Sequence, residues 1–163
     1  MEHCPDAWAV GLQHTEGWSL VYSGDTRPCE AVARLGRAMR PAARILLHEA
    51  TFDDSEPMQR EAVAKRHSTL SEALGIGAQM GAWRVLLTHF SQRYPKLGEA
   101  GEARINHATL ALDMMTVPFP LLPALPALTP ALQCCLLDVE PDGAADADGA
   151  AAEASTAAPD QII

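Results

Sequence analysis

Three short apolar segments each run into a polar side chain able to hold a metal ion or move a proton. Trp18–Tyr22 (WSLVY) leads through Ser23-Gly24 to Asp25, Arg44–Leu47 (RILL) leads to His48-Glu49, and Trp83–Leu87 (WRVLL) leads through Thr88 to His89. Compact runs rich in Val, Leu and Ile, separated by helix-patterned segments, read as buried strands of an α/β layer. In such layers the sheet fixes position while the loops at strand ends supply polar atoms, so sites gather there.

The remaining elements follow from local signals. Ala7–Gln13 pairs with Trp18–Tyr22 as a hairpin, with Thr15-Glu16-Gly17 as turn. A short helix is expected over Glu30–Leu35, stopped by Gly36, and another over Glu61–Lys65 after the acidic loop Asp53–Glu56. Thr69-Leu70-Ser71-Glu72 has the form of a capping box for a helix Leu70–Met80 ended by Gly81. Ala103–Met114 reads as a helix and Met115–Val117 as a short strand.

Composition shifts after about residue 118. Five prolines fall within Pro118–Pro130, and residues 141–160 are dominated by Ala, Asp, Glu and Gly without an aromatic. Such a tail buries too little apolar area to offset its ordering entropy and is expected to be disordered. The organisation read from the sequence is residues 1–117 folded, 118–140 a Pro-rich extension and 141–163 an acidic, Ala-rich tail.

The net charge of −9 argues against a broad basic surface for nucleic acid, although metal ions can neutralise a phosphate locally. Four cysteines without a CxxC pair read as reduced thiols of an intracellular protein. No apolar run reaches the roughly 18 residues of a membrane span, and Glu2, His3 and Cys4 after Met1 give no secretory leader.

Asp25 in SGDT has the chemistry to bridge two cations about 3.5–4 Å apart. It also has the pattern of an Asp that makes a turn or caps the next helix. His89 could offer an imidazole nitrogen to a metal, or be a hydrogen-bonded or surface histidine. Glu49 could orient His67 for proton transfer, although their spacing alone does not place them together. Arg93, in FSQRY, could fork a phosphate or lie in a solvated loop. His14 and His107 have no evident partner.

The segments HCPDAWAVGLQHTEGWSLVYSGDTRPCEAVARLG, LLHEATF, KRHSTLSEA and LLTHFSQRY occur in this order between His3 and Tyr94, within a resemblance that runs to about Val117. Together they closely resemble the carboxy-terminal part of long-form tRNase Z, a metallo-β-lactamase-fold nuclease. SGDT and a late His are widespread among hydrolases of that fold, whereas HEAT and HST with THFSQRY are characteristic of tRNase Z. The resemblance implies part of an αββα sandwich, about one β-sheet with flanking helices. It implies two zinc ions, with His3, Asp25 and His89 as metal ligands and Asp25 bridging. Glu49 and His67 match the pair that aids proton transfer to the leaving group, and Arg93 lies near the scissile phosphate. The implied substrate is precursor tRNA, cleaved at its 3′ trailer, and the implied compartment is the nucleus or the mitochondrion.

The sequence departs from the family pattern at one motif. Among His3, His14, His48, His67, His89 and His107 there is no HxH spacing, so the family's HxHxDH ligand run has no counterpart. Zinc at a catalytic site takes about three protein ligands. The expectation is therefore an incomplete centre, completed by a missing amino-terminal half or by a dimer partner. An apolar sheet face is expected to be uncovered, and His3, near a terminus, to fray.

Overall fold

The structure, a computed structural model, describes residues 2–90, 107–129 and 131. Five strands form one sheet in the order β1 (Val10–Gln13), β2 (Ser19–Tyr22), β3 (Ile45–Glu49), β4 (Arg84–Thr88) and β5 (Ala108–Leu110). The first pair is antiparallel, the hairpin read from the sequence, and the rest are parallel. At the hairpin turn, His14 stacks on Trp18 with ring centroids 4.7 Å apart, the partner the sequence did not reveal.

Helix α1 (Glu30–Ala38) joins β2 to β3, while α2 (Glu56–Lys65) and α3 (Leu70–Met80) join β3 to β4. Parallel neighbours require such crossovers. α1 and α3 pack on each other and on one sheet face, where Val21, Leu46, Val85, Leu87, Ala108 and Leu110 meet Val32, Ala33, Ala73, Ile76 and Met80. On the opposite face Leu122 and Leu125 cover Ile45, flanked by Leu20, Trp83, Leu86, Met115 and Val117. That cover reaches the hairpin only at Leu20 and Trp18, which Phe119 meets at 4.4 Å between ring centroids, and Trp8, Val10, Leu12 and Tyr22 remain exposed.

The bounds of α3 agree with its local signals. Thr69 accepts from the Glu72 amide at 3.4 Å while Glu72 accepts from the Thr69 amide at 2.9 Å, and Gly81 closes the helix at φ 73°. α2 begins earlier than the sequence suggested, since Pro57 in a first turn is compatible with a helix.

Three expectations are corrected. Gly36 does not stop α1; it lies buried inside the helix, where an added Cβ would come within 2.3 Å of Met80 Sδ. Its smallness serves the contact between α1 and α3 rather than termination. The helix expected over Ala103–Met114 is absent where described: Ala108–Leu110 is the fully buried strand β5, paired with β4. Met115–Val117 is not a strand but packs its side chains on the second cluster. In both cases long-range pairing and burial overrode local propensity. The expected tail, residues 141–163, and most of the Pro-rich extension beyond residue 129 lie outside the described residues.

Candidate active site

The loops after β2, β3 and β4 meet at one edge of the sheet. Asp25 follows β2, Glu49 ends β3, and His89 follows β4 in the left-handed region at φ 63°. Non-glycine residues seldom adopt that conformation, and it concentrates where side chains must be aimed. Gly24 is also left-handed, φ 60°, with the Trp8 carbonyl 2.8 Å from where a Cβ would sit, so the SGDT turn requires glycine.

Glu49 is the hub, only 1% exposed. Its Oε1 accepts from the Thr26 amide at 2.9 Å, the Ser68 amide at 3.0 Å and His67 Nδ1 at 3.0 Å. Its Oε2 accepts from the Thr51 amide at 3.1 Å and the Thr51 hydroxyl at 2.8 Å. A carboxylate removed from water is tolerated only when donors replace its hydration, and every partner here donates. The SGDT loop, the HEAT strand end and the HST turn are thereby tied through one side chain. The Phe52–Thr69 bridge and Ser68 Oγ, which donates to the Thr26 carbonyl at 2.6 Å, brace the same turn.

His67 and His3 stand side by side, ring centroids 4.6 Å apart, and His67 and His89 are 5.2 Å apart. The expected fraying of His3 is not what the structure shows. Its Nδ1 lies 2.9 Å from the Arg66 carbonyl, and Arg66 donates back to the His3 carbonyl at 3.1 Å. A carbonyl only accepts, so Nδ1 carries the hydrogen and Nε2 keeps a free lone pair. The same logic applies to His67, whose Nδ1 faces a carboxylate.

Ligand atoms of His3, Asp25 and His67 lie within 4.8 Å of one another, as do those of Glu49, His67 and His89. The two groups differ chemically. Both Glu49 oxygens are already engaged by donors, so the second is a hydrogen-bonded proton network. The first joins imidazole nitrogens to the partly exposed Asp25 carboxylate, whose Oδ1 is 3.6 Å from His89 Nδ1. Imidazole and carboxylate donors suit zinc. The donor types suit a partial zinc site: His3 and Asp25 converge with His67, while His89 falls in the second group and meets Asp25 through Nδ1.

Arg27, which the sequence reading passed over, and His48, which it grouped with Glu49 and His67, also shape this edge. Arg27 donates to the His67 carbonyl at 2.7 Å and forks onto both oxygens of Glu72, the capping-box acid of α3. His48 is fully buried, with Nδ1 2.7 Å from the Glu49 carbonyl, and its Nε2 has no partner among the described residues. Burial pushes the pKa of His48 below the ordinary 6.5. Arg93 lies outside the described residues.

Residues 6–90 match the family described as the Beta-lactamase superfamily domain, and the chain belongs to that superfamily. Within it, the particular relatives are tRNase Z proteins. The chain is 42% identical over 138 residues to the mitochondrial tRNase Z TRZ4 of Arabidopsis thaliana, covering 78% of this chain and 14% of that protein. It is 43% identical over 133 residues to zinc phosphodiesterase ELAC protein 2 of Homo sapiens, covering 82% and 15%. Among solved structures, a long form RNase Z from yeast matches with TM-score 0.66 and 30% identity over 82% of this chain and 18% of that one. The chain thus spans less than a fifth of the length of these relatives.

Proposed function

We propose that this chain carries the leaving-group half of a tRNase Z centre, which hydrolyses a phosphodiester to release the 3′ trailer of precursor tRNA. The observation that carries this reading is the Glu49–His67 pair, 3.0 Å apart, with His3 and Asp25 converging on His67 and His89 Nδ1 3.6 Å from Asp25. His3, Asp25 and His89 would hold zinc. When bound, zinc supplies a water acidified toward a pKa of about 7 and positive charge against the phosphoryl oxygens.

The chain's own residues account for the proton. Glu49 holds His67 by Nδ1, which leaves the opposite nitrogen for the substrate. A proton on that nitrogen can pass to the departing 3′ oxygen of the tRNA, and the carboxylate stabilises the imidazolium before transfer. The products are a tRNA with a free 3′ hydroxyl and a trailer with a 5′ phosphate. Arg93 belongs to this proposal as a phosphate contact. The names of TRZ4 and TRZ3 of Arabidopsis thaliana place those relatives in mitochondria, which supports the mitochondrial of the two compartments the resemblance implies.

With no HxHxDH run in these 163 residues, the complete centre takes further ligands from other sequence, on the same or a partner chain. The test is cleavage of a precursor tRNA by the chain alone and by the chain mixed with a polypeptide carrying that run from such a relative, with zinc counted in the same samples. Trailer release that requires the mixture and disappears in His67→Ala supports the proposal. No release in either sample overturns it.

A second reading has one observation in its favour. Trp8, Val10, Leu12 and Tyr22 form an uncovered apolar patch on the hairpin, which suits an interaction module without catalysis of its own. Saturable binding to the complementing polypeptide without trailer release would select it.

A further inference from the structure

We infer that Thr51 is a positioning residue that sets the tautomer of His89, so that Nε2 is the nitrogen presented to a cation. Thr51 Oγ1 lies 2.8 Å from Glu49 Oε2, 2.8 Å from His89 Nδ1 and 3.3 Å from His67 Nδ1. A hydroxyl has one hydrogen and two lone pairs. Glu49 meets donors at both oxygens: two backbone amides and His67 at Oε1, a backbone amide and the Thr51 hydroxyl at Oε2. It therefore acts as an acceptor, and the single Thr51 hydrogen goes to Oε2. Toward His89 the hydroxyl oxygen can then only accept, so His89 Nδ1 carries a hydrogen and Nε2 bears the lone pair.

Competing partners do not change this outcome. Asp25 Oδ1, at 3.6 Å from the same nitrogen, is the more distant acceptor and would favour hydrogen at Nδ1 as well. Thr51 is itself held from two sides. Its amide donates to Glu49 Oε2 at 3.1 Å, and the preceding Ala50 amide donates to the Thr88 carbonyl at 2.8 Å, next to His89. One hydroxyl thus links the Glu49–His67 proton pair to the imidazole that resembles the last metal ligand. Such outer partners orient ligating histidines and raise their basicity, and losing one weakens metal affinity about 10–100-fold.

The inference rests on the proposed role of His89 but is tested without tRNA and first without metal. Long-range proton–nitrogen NMR of the metal-free chain at about pH 8, where a free imidazole is neutral, reports which nitrogen of each histidine is protonated. The expected result is His89 protonated at Nδ1, a shift toward Nε2 protonation in Thr51→Val, and restoration in Thr51→Ser. Zinc titration of the same proteins is expected to show affinity weakened about 10-fold or more in Thr51→Val and near wild type in Thr51→Ser. His89 protonated at Nε2 in the wild-type chain, or a tautomer and zinc affinity unchanged by Thr51→Val, would overturn the inference. The wild-type spectrum decides even if the valine variant fails to fold. Failure of trailer cleavage would leave the tautomer result standing.

Discussion

Glu49 Oε1 lies 3.0 Å from His67 Nδ1 although the residues stand 18 positions apart, and the same oxygen takes the amide of Ser68. The contact joins the end of β3 to the turn between α2 and α3, and it holds the imidazole between the rings of His3 and His89.

Replacing Glu49 with Gln tests that contact. An amide retains the shape but, whichever way it is turned, points its NH₂ group at a backbone N–H that can only donate. The expected result is a loss of about 1–3 kcal/mol in urea unfolding. In the complemented cleavage assay, trailer release should fall about 100-fold or more, as for loss of a general acid.

Arg27→Lys removes a fork that one ammonium cannot reproduce. Arg27 and Glu72 are 20% and 31% exposed, so the pair is partly screened. A loss of about 1 kcal/mol is expected, measured by urea unfolding, together with a shifted His67 side-chain resonance because its carbonyl loses an anchor.

The glycines of the helices make opposite predictions. Gly36→Ala drives a methyl into Met80 and should destabilise by about 1–3 kcal/mol. An added Cβ at Gly75, inside α3, meets nothing within 4 Å, so Gly75→Ala should stabilise by about 0.5–1 kcal/mol. Thermal or urea unfolding of the two variants separates close packing from mere helix propensity.

His48 makes stability depend on pH. Its folded pKa lies below the unfolded value of 6.5, so the unfolded chain binds the proton first. Stability is therefore full above that value and falls as pH drops through it, by at most about 1.4 kcal/mol per pH unit from this one group. His48→Asn, which keeps an N–H for the Glu49 carbonyl, should flatten that slope below about pH 6.5 in urea unfolding.

The hairpin face should drive association. Val10 and Leu12 are 45% and 50% exposed on edge strand β1, where unpaired backbone and apolar side chains coincide. Val10→Lys with Leu12→Lys is expected to lower self-association in sedimentation while leaving the circular dichroism of the fold unchanged.

The sequence by itself determined the features that depend on near neighbours. The Thr69–Glu72 box and Gly81 delimited α3, and the apolar runs located β2, β3 and β4 with Asp25, Glu49 and His89 at their ends. These signals act within about one turn of chain, so they survive in a linear reading. Tertiary structure alone decided the rest. It turned Ala108–Leu110 from an expected helix into β5, and it used Gly36 as a contact surface for Met80. It also brought His3 to Arg66 across 63 positions and Thr51 to His89 across 38. Propensity carries no information about such pairs, because burial and hydrogen-bond satisfaction are settled only once the strands stand side by side.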